Sequence, residues 1–116
     1  MSDDQVTLSN ESAIAFYDSH PLTSGHTLVI PRSHVSSLYD LPLDIQAGVW
    51  ELVRSVRQSL LDSGAEAFNI GVNDGAAAGQ TIDHAHIHII PRRFGDCPDP
   101  RGGIRLIFPA KARYWE

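Results

Sequence analysis

Three histidines at alternate positions, His84, His86 and His88, lie in the string DHAHIHIIPRR. Imidazole changes charge near neutral pH, so it can serve there as nucleophile, proton carrier or metal ligand. A β-strand sends successive side chains to opposite faces, which lines the three rings along one face at a spacing of roughly 6.6 Å. Ala85, Ile87 and Ile89 then point the other way, into a core. Three readings compete for this array. A polar strand face with no chemistry is disfavoured, because histidine is not a preferred strand residue. A metal site would use a His-x-His pair with His26 or Asp83 as a further ligand. Covalent catalysis would have one ring attack phosphorus while its neighbours support it.

The preceding loop, NDGAAAGQT (73–81), bears on that choice. Gly75 and Gly79 allow close backbone approach, and Gln80 and Thr81 offer donors without charge. Such a loop resembles a phosphate cradle, in which amides and hydroxyls stabilise charge on phosphoryl oxygens.

The elements that must hold these residues follow from periodicity. Short strands are expected at 5–9, 13–18, 26–30, 67–72 and 84–92. Ile14, Phe16 and Asp18 share one face of the second strand, and His26, Leu28 and Ile30 one face of the third. Asn10-Glu11-Ser12 reads as a turn. The segment from Pro42 to Ser63 reads as the one long helix, with Pro42 at its first position, Asp44 in its first turn and Gly64 past its end. Ile45, Val49, Leu52, Val53, Val56 and Leu60 form its apolar stripe. Leu43, Trp50 and Leu61 widen that stripe beyond what one sheet contact needs, so this flank is expected to pack against a partner subunit. Few short strands with one helix imply an α+β fold with an antiparallel sheet. From Phe94 onward the chain is rich in Gly and Pro and is expected to be irregular.

Composition narrows the class. The 116 residues suit one domain, and a net charge of −5 argues against a sequence-independent grip on nucleic acid. A lone Cys97 rules out an internal disulfide and multi-cysteine metal sites, and points to a reducing compartment such as the cytoplasm. The acidic, polar N-terminus does not read as a signal peptide, and no apolar run is long enough to span a bilayer.

The string GQTIDHAHIHIIPR (79–92) resembles the signature of the histidine triad family, in which histidines alternate with apolar residues over 84–90. FYDSHPLTSGHTLVIPRSH (16–34) is similar to that family's nucleoside-side segment, and NDGAAAGQT to its phosphate loop. The likeness covers roughly residues 10–93, and DPRGGIRLIFPAKARYW resembles the tail of small bacterial-type members.

The resemblance implies a single α+β domain over 1–116, with an antiparallel sheet of about five strands, one long helix and an irregular tail over 94–116. It further implies a two-fold homodimer with a joined sheet. His86 would attack the α-phosphorus of a nucleotide and form a nucleotidyl-histidine intermediate. His88 would donate to a phosphate oxygen, His84 would orient the array, and His26 would support it from a neighbouring strand. Gln80 would approach the leaving group, whose protonation would come from the array. Phe16 would line a purine pocket, Asp18 would accept ribose hydroxyls, and Asn73, Gly79 and Thr81 would place the phosphate. The implied activity is hydrolysis of dinucleoside polyphosphates or purine nucleoside phosphoramidates. Its alternatives are nucleotidyl transfer to phosphate and a non-catalytic purine nucleotide-binding module.

No tightly bound cofactor or metal is implied, and any magnesium would arrive with a polyphosphate. The Cys-x-x-Cys zinc pair of many members has no counterpart here. His20 and His34 read as peripheral, and Arg92 and Arg93 as solvated strand-end charges. Trp115 reads as an exposed residue of a tail that crosses a dimer in some members.

Overall fold

The computed structural model describes residues 5–116. Its strands are β1 (Val6–Ser9), β2 (Ala13–Tyr17), β3 (Thr27–Pro31), β4 (Ala67–Val72) and β5 (Ile87–Arg92), with one long helix, α1 (Leu43–Asp62). All neighbouring strands run antiparallel in the order β1-β2-β3-β5-β4. The α+β architecture expected from the sequence is the one observed.

Period-two alternation divides the sheet into two faces. Ala13, Ala15, Val29, Ile87 and Ile89 are completely buried and pack against Val49, Leu52, Val53 and Val56 of α1. Ile14, Phe16, Leu28, Ile30, His88 and Ile90 lie on the other face, which stays partly open. No helix among the described residues is long and apolar enough to cross a membrane.

Several boundaries differ from the sequence expectation. Pro42 is the cap residue and not the first helical one; its carbonyl accepts from the amides of Ile45 and Gln46. At the other end, Gly64 takes a φ of 104°, and the Gly64 and Ala65 amides donate to the carbonyls of Leu61 and Leu60. That crossed pair satisfies carbonyls the helix leaves open, and the left-handed residue between them favours glycine. The third strand spans Thr27–Pro31, so Pro31 closes it instead of stopping it one residue earlier. A strand end tolerates proline because no amide is needed there.

The fifth strand begins at Ile87, so His84 and His86 precede it. Its pairing with β3 ends at Val29 opposite Ile87. Beyond that point the Ala85 amide crosses to the Val35 carbonyl, and the Pro31 carbonyl bonds the His84 ring. The burial alternation continues nonetheless: Ala85, Ile87, Ile89 and Pro91 are buried while the residues between them are partly open.

The tail is more ordered than expected. It forms two 3-10 turns, Gly103–Ile107 and Pro109–Lys111. Trp115 folds back on Gly102, with the Arg101 guanidinium 4.7 Å from its ring centroid, so it is not an exposed chain end. Arg92 is not a solvated charge either. It donates to Asp96 at 2.8 and 2.9 Å, to Asn69 at 2.6 Å and to the Cys97 sulfur at 3.2 Å. The bond to Asp96 holds the guanidinium above its ordinary range, and the bond to Arg92 holds the Asp96 carboxyl well below its own.

α1 meets the β1–β2 turn at Gly48. A Cβ there would clash with the Ser12 hydroxyl, and the Asn10 side-chain Nδ2 donates to the Gly48 carbonyl at 2.7 Å. Alanine improves an exposed helix position by about 1 kcal/mol over glycine, whereas overpacking costs about 1–3 kcal/mol. Gly48→Ala should therefore lower stability by about 1 kcal/mol net, and should become stabilising in a Ser12→Gly background. Urea unfolding of the four proteins of that cycle checks the change of sign.

Candidate active site

The open face of the sheet forms the floor of a cleft of about 1070 Å³. β2 contributes Phe16 and, just past its end, Asp18; β3 contributes Leu28 and Ile30. His84, His86 and His88 line it together, and Asn73, Gly79 and Thr81 come from the loop after β4. Those sequence-selected residues thus converge on one space. Leu28 and Ile30 join them without having been assigned a role, and His20, read from the sequence as peripheral, lines the cleft as well. The signal for Leu28 and Ile30 was their shared strand face with His26. The signal for His20 was its place in the loop after Asp18, whose carboxylate accepts from the His20 amide at 2.9 Å.

Main-chain partners fix which ring nitrogens carry protons. The Leu22 amide donates to His26 Nδ1 at 3.1 Å, so that nitrogen holds a lone pair. Neutral His26 therefore carries its proton on Nε2, which lies 3.0 Å from His88 Nδ1. His88 Nδ1 accepts that proton's hydrogen bond, which leaves the His88 proton on Nε2. His86 Nδ1 lies 2.9 Å from the His84 carbonyl, which can only accept. The His86 proton is therefore on Nδ1, and its Nε2 keeps a free lone pair. His84 Nε2 donates in the same way to the Pro31 carbonyl at 2.8 Å. One nucleophilic nitrogen and one N–H donor result, on adjacent rings whose centroids are 5.1 Å apart.

Burial favours the neutral form of His26 and His88. Burial pushes the His26 imidazole below its ordinary value, and the Asp18 carboxylate 3.5 Å away opposes the shift. His88 is lowered first by burial, then by His86 and His26, again with Asp18 opposing.

Gln80 takes a different place from the one expected. Its side-chain oxygen accepts from the Gly75 amide at 2.9 Å, and its nitrogen donates to the carbonyls of Ser36 and Ile82 at 2.8 and 3.0 Å. The carboxamide is occupied by main chain and does not line the cleft. It acts instead on loop shape, clamping a turn whose Gly75 and Gly79 have φ values of 103° and 94°. His34 stacks on His84 with centroids 4.8 Å apart, which stiffens the first ring of the array.

Asp18, His26 and His88 are the group among the described residues whose ligand atoms come close enough, within 4.8 Å, for a metal ion. The hydrogen bonds oppose that use. A metal on His26 Nε2 would move its proton to Nδ1, directly against the Leu22 N–H. Two donors would then face each other at a residue only 2 % exposed.

Comparison with known proteins identifies relatives of this chain. The family described as HIT domain matches residues 1–95. The adenylylsulfatase HINT3 of Arabidopsis thaliana is 39% identical over 89 residues, covering 76% of this chain and 45% of that protein. The asymmetrical bis(5'-nucleosyl)-tetraphosphatase of Schizosaccharomyces pombe is 41% identical over 93 residues, covering 79% of this chain and 51% of the relative. The adenosine 5'-monophosphoramidase hnt1 of the same yeast is 38% identical over 98 residues, covering 84% and 68%. The chain thus spans about half the length of the first two relatives. Among solved structures, the C. elegans NitFhit protein superposes with a TM-score of 0.79 at 36% identity, covering 85% of this chain and 24% of that one.

The proton assignments are directly measurable. Imidazole nitrogen NMR at neutral pH should show His86 as the Nδ1–H tautomer and His88 as the Nε2–H tautomer; the reverse at either ring refutes the relay. Both lowered imidazoles bind protons in the unfolded chain before they do in the folded one. Their effect on stability is therefore absent above about pH 7 and destabilising as pH falls below about 6.5. Unfolding free energy measured between about pH 7 and pH 5 should decline, and His88→Asn should flatten that slope.

Proposed function

This chain belongs to the HIT domain family, and on that premise we propose that it hydrolyses nucleotides at the α-phosphorus through a nucleotidyl-histidine intermediate. The observation that carries the reading is the tautomer pattern: a free lone pair on His86 Nε2 beside an N–H on His88 Nε2. His86 attacks phosphorus, and the leaving group departs with the bonding electron pair. His88 donates to a non-bridging oxygen, where negative charge grows in the transition state. Water then opens the phosphorus–nitrogen bond and restores His86.

The substrate is a purine nucleotide, either a dinucleoside polyphosphate or a nucleoside phosphoramidate. The names of the relatives, a tetraphosphatase, a phosphoramidase and an adenylylsulfatase, support this class. Phe16, Leu28 and Ile30 offer the base an apolar slot, and the Asp18 carboxylate can accept ribose hydroxyls. The Thr81 hydroxyl donates to the phosphate, and Gly79, whose amide is spent on the Ala76 carbonyl, leaves that approach open. The protein needs no resident cofactor for this route, and magnesium enters only with a polyphosphate.

The proposal extends to assembly. Leu43 is 82% exposed and Trp50 46% exposed on one flank of α1, and β4 is an edge strand. A second copy covers that flank and joins the two sheets in a two-fold dimer.

Two measurements test these readings. His86→Ala should lower kcat/KM at least about a thousandfold on adenosine phosphoramidate or diadenosine polyphosphate while nucleotide binding persists; undiminished turnover refutes the mechanism. Light scattering should give twice the 12.7 kDa chain mass, reduced to one chain in Trp50→Glu. An associated Trp50→Glu protein would remove that flank from the interface.

A further inference from the structure

A second cleft, of about 770 Å³, opens on the far side of His88 from the nucleoside slot. The two clefts share Asp18, His20, Asn73 and His88, so they meet at the reacting centre. A nucleotide with its base against Phe16 and its phosphorus at His86 therefore directs its leaving group into this second space. Resting on the functional reading above, we propose that this cleft is the leaving-group subsite and that it takes an apolar, uncharged group in preference to a second nucleotide's phosphates.

Three observations carry the proposal. The first is the floor. Gly71 pairs with His88 in the sheet, and a Cβ built on Gly71 would meet nothing within 4 Å. Backbone strain does not require glycine there, since its φ is not in the left-handed region. The missing side chain leaves room beside the reacting ring. The second is the wall. Ile90 continues the floor along β5, and the tail turn supplies Ile104, Leu106 and Ile107, each about half exposed or more. This turn seats against β4 at Asn69, where a Cβ on Gly103 would come within 3.1 Å of the side-chain nitrogen. From His88 to Arg92 the floor runs roughly 13 Å, enough for an extended side chain of about six heavy atoms.

The third is charge. Arg92 is the only lysine or arginine lining either cleft among the described residues. Four of its five N–H donors already serve Asp96, Asn69 and Cys97. Asp18 and Asp96 add two carboxylates to the same cleft. A departing nucleoside polyphosphate would bring several negative charges into this setting with almost no free protein cation to meet them. A neutral amine suits it. In that case His86 Nε2 bonds to phosphorus, the P–N electron pair returns to nitrogen, and the nitrogen takes up one proton from solvent as the bond breaks. The amine departs neutral into the apolar cleft. Water then attacks phosphorus, yielding nucleoside monophosphate, a released proton and neutral His86.

The test compares kcat/KM on adenosine 5'-phosphoramidate, its N-hexyl derivative and diadenosine tetraphosphate. The N-hexyl compound should exceed the unsubstituted one at least about tenfold, with the tetraphosphate lowest. Gly71→Val fills the floor with a strand-favouring side chain and should bring the hexyl-to-unsubstituted ratio close to one. Leu106→Asp should lower the same ratio by charging the wall. A wild-type ratio near one, a ratio that survives Gly71→Val, or a preference for the tetraphosphate overturns the inference while leaving hydrolysis through His86 intact. Absence of turnover on all three compounds refutes the functional reading and the inference with it.

Discussion

The hydrogen bond from the Leu22 amide to His26 Nδ1 sets the state of the whole site. A main-chain N–H can only donate, so it removes the choice of tautomer from a ring that is otherwise symmetric in its options. The constraint passes through His26 Nε2 to His88 Nδ1 and emerges as an N–H on the far side of His88. A second main-chain group, the His84 carbonyl, makes the opposite choice at His86. The site therefore presents a lone pair and a donor without any buried charge to stabilise them. The same bond explains why the Asp18, His26 and His88 cluster is unsuited to a metal, although its spacing is short enough.

That bond exists because the sheet holds the two rings in register. Leu28 opposes His88 across β3 and β5, which puts His26 at the margin of β3 beside the His88 ring. The sheet in turn packs closely against α1 through small residues. Ala13 and Ala15 are fully buried beneath the helix, and Gly48 lets the helix backbone approach the Ser12 turn. The catalytic face is thus positioned by close packing on the face opposite to it.

Charge is distributed sparingly around the two clefts. Arg92 is neutralised by Asp96 and tied to Asn69, which anchors the start of the tail to the end of β5. On the proposed reading, phosphate recognition falls to neutral donors, the Thr81 hydroxyl and the His88 ring, since the Gly79 amide is spent on the Ala76 carbonyl. Gln80 supports Thr81 indirectly, since its carboxamide closes the loop that carries it. The apolar tail turn and the bare backbone of Gly71 give the other cleft its contrasting character.

Alternation by itself determined the essentials of this protein. Strand and helix periods fixed the two faces of the sheet, the span of α1 to within a residue and the grouping of the three histidines, because these follow from local geometry. The burial alternation of His84 to His88 begins before β5 and its ladder do. Tertiary structure alone decided the rest. Ring tautomers depend on Leu22, Pro31 and the His84 carbonyl, which periodicity cannot see. The capture of Gln80 by Ser36 joins residues 44 apart in sequence, and that of Arg92 by Asn69 joins residues 23 apart. The order of the tail comes from Trp115 closing on Gly102, a contact no local pattern encodes. Hydrogen bonds and packing between distant segments set which atom of each residue is free, and chemistry is done by the free atoms.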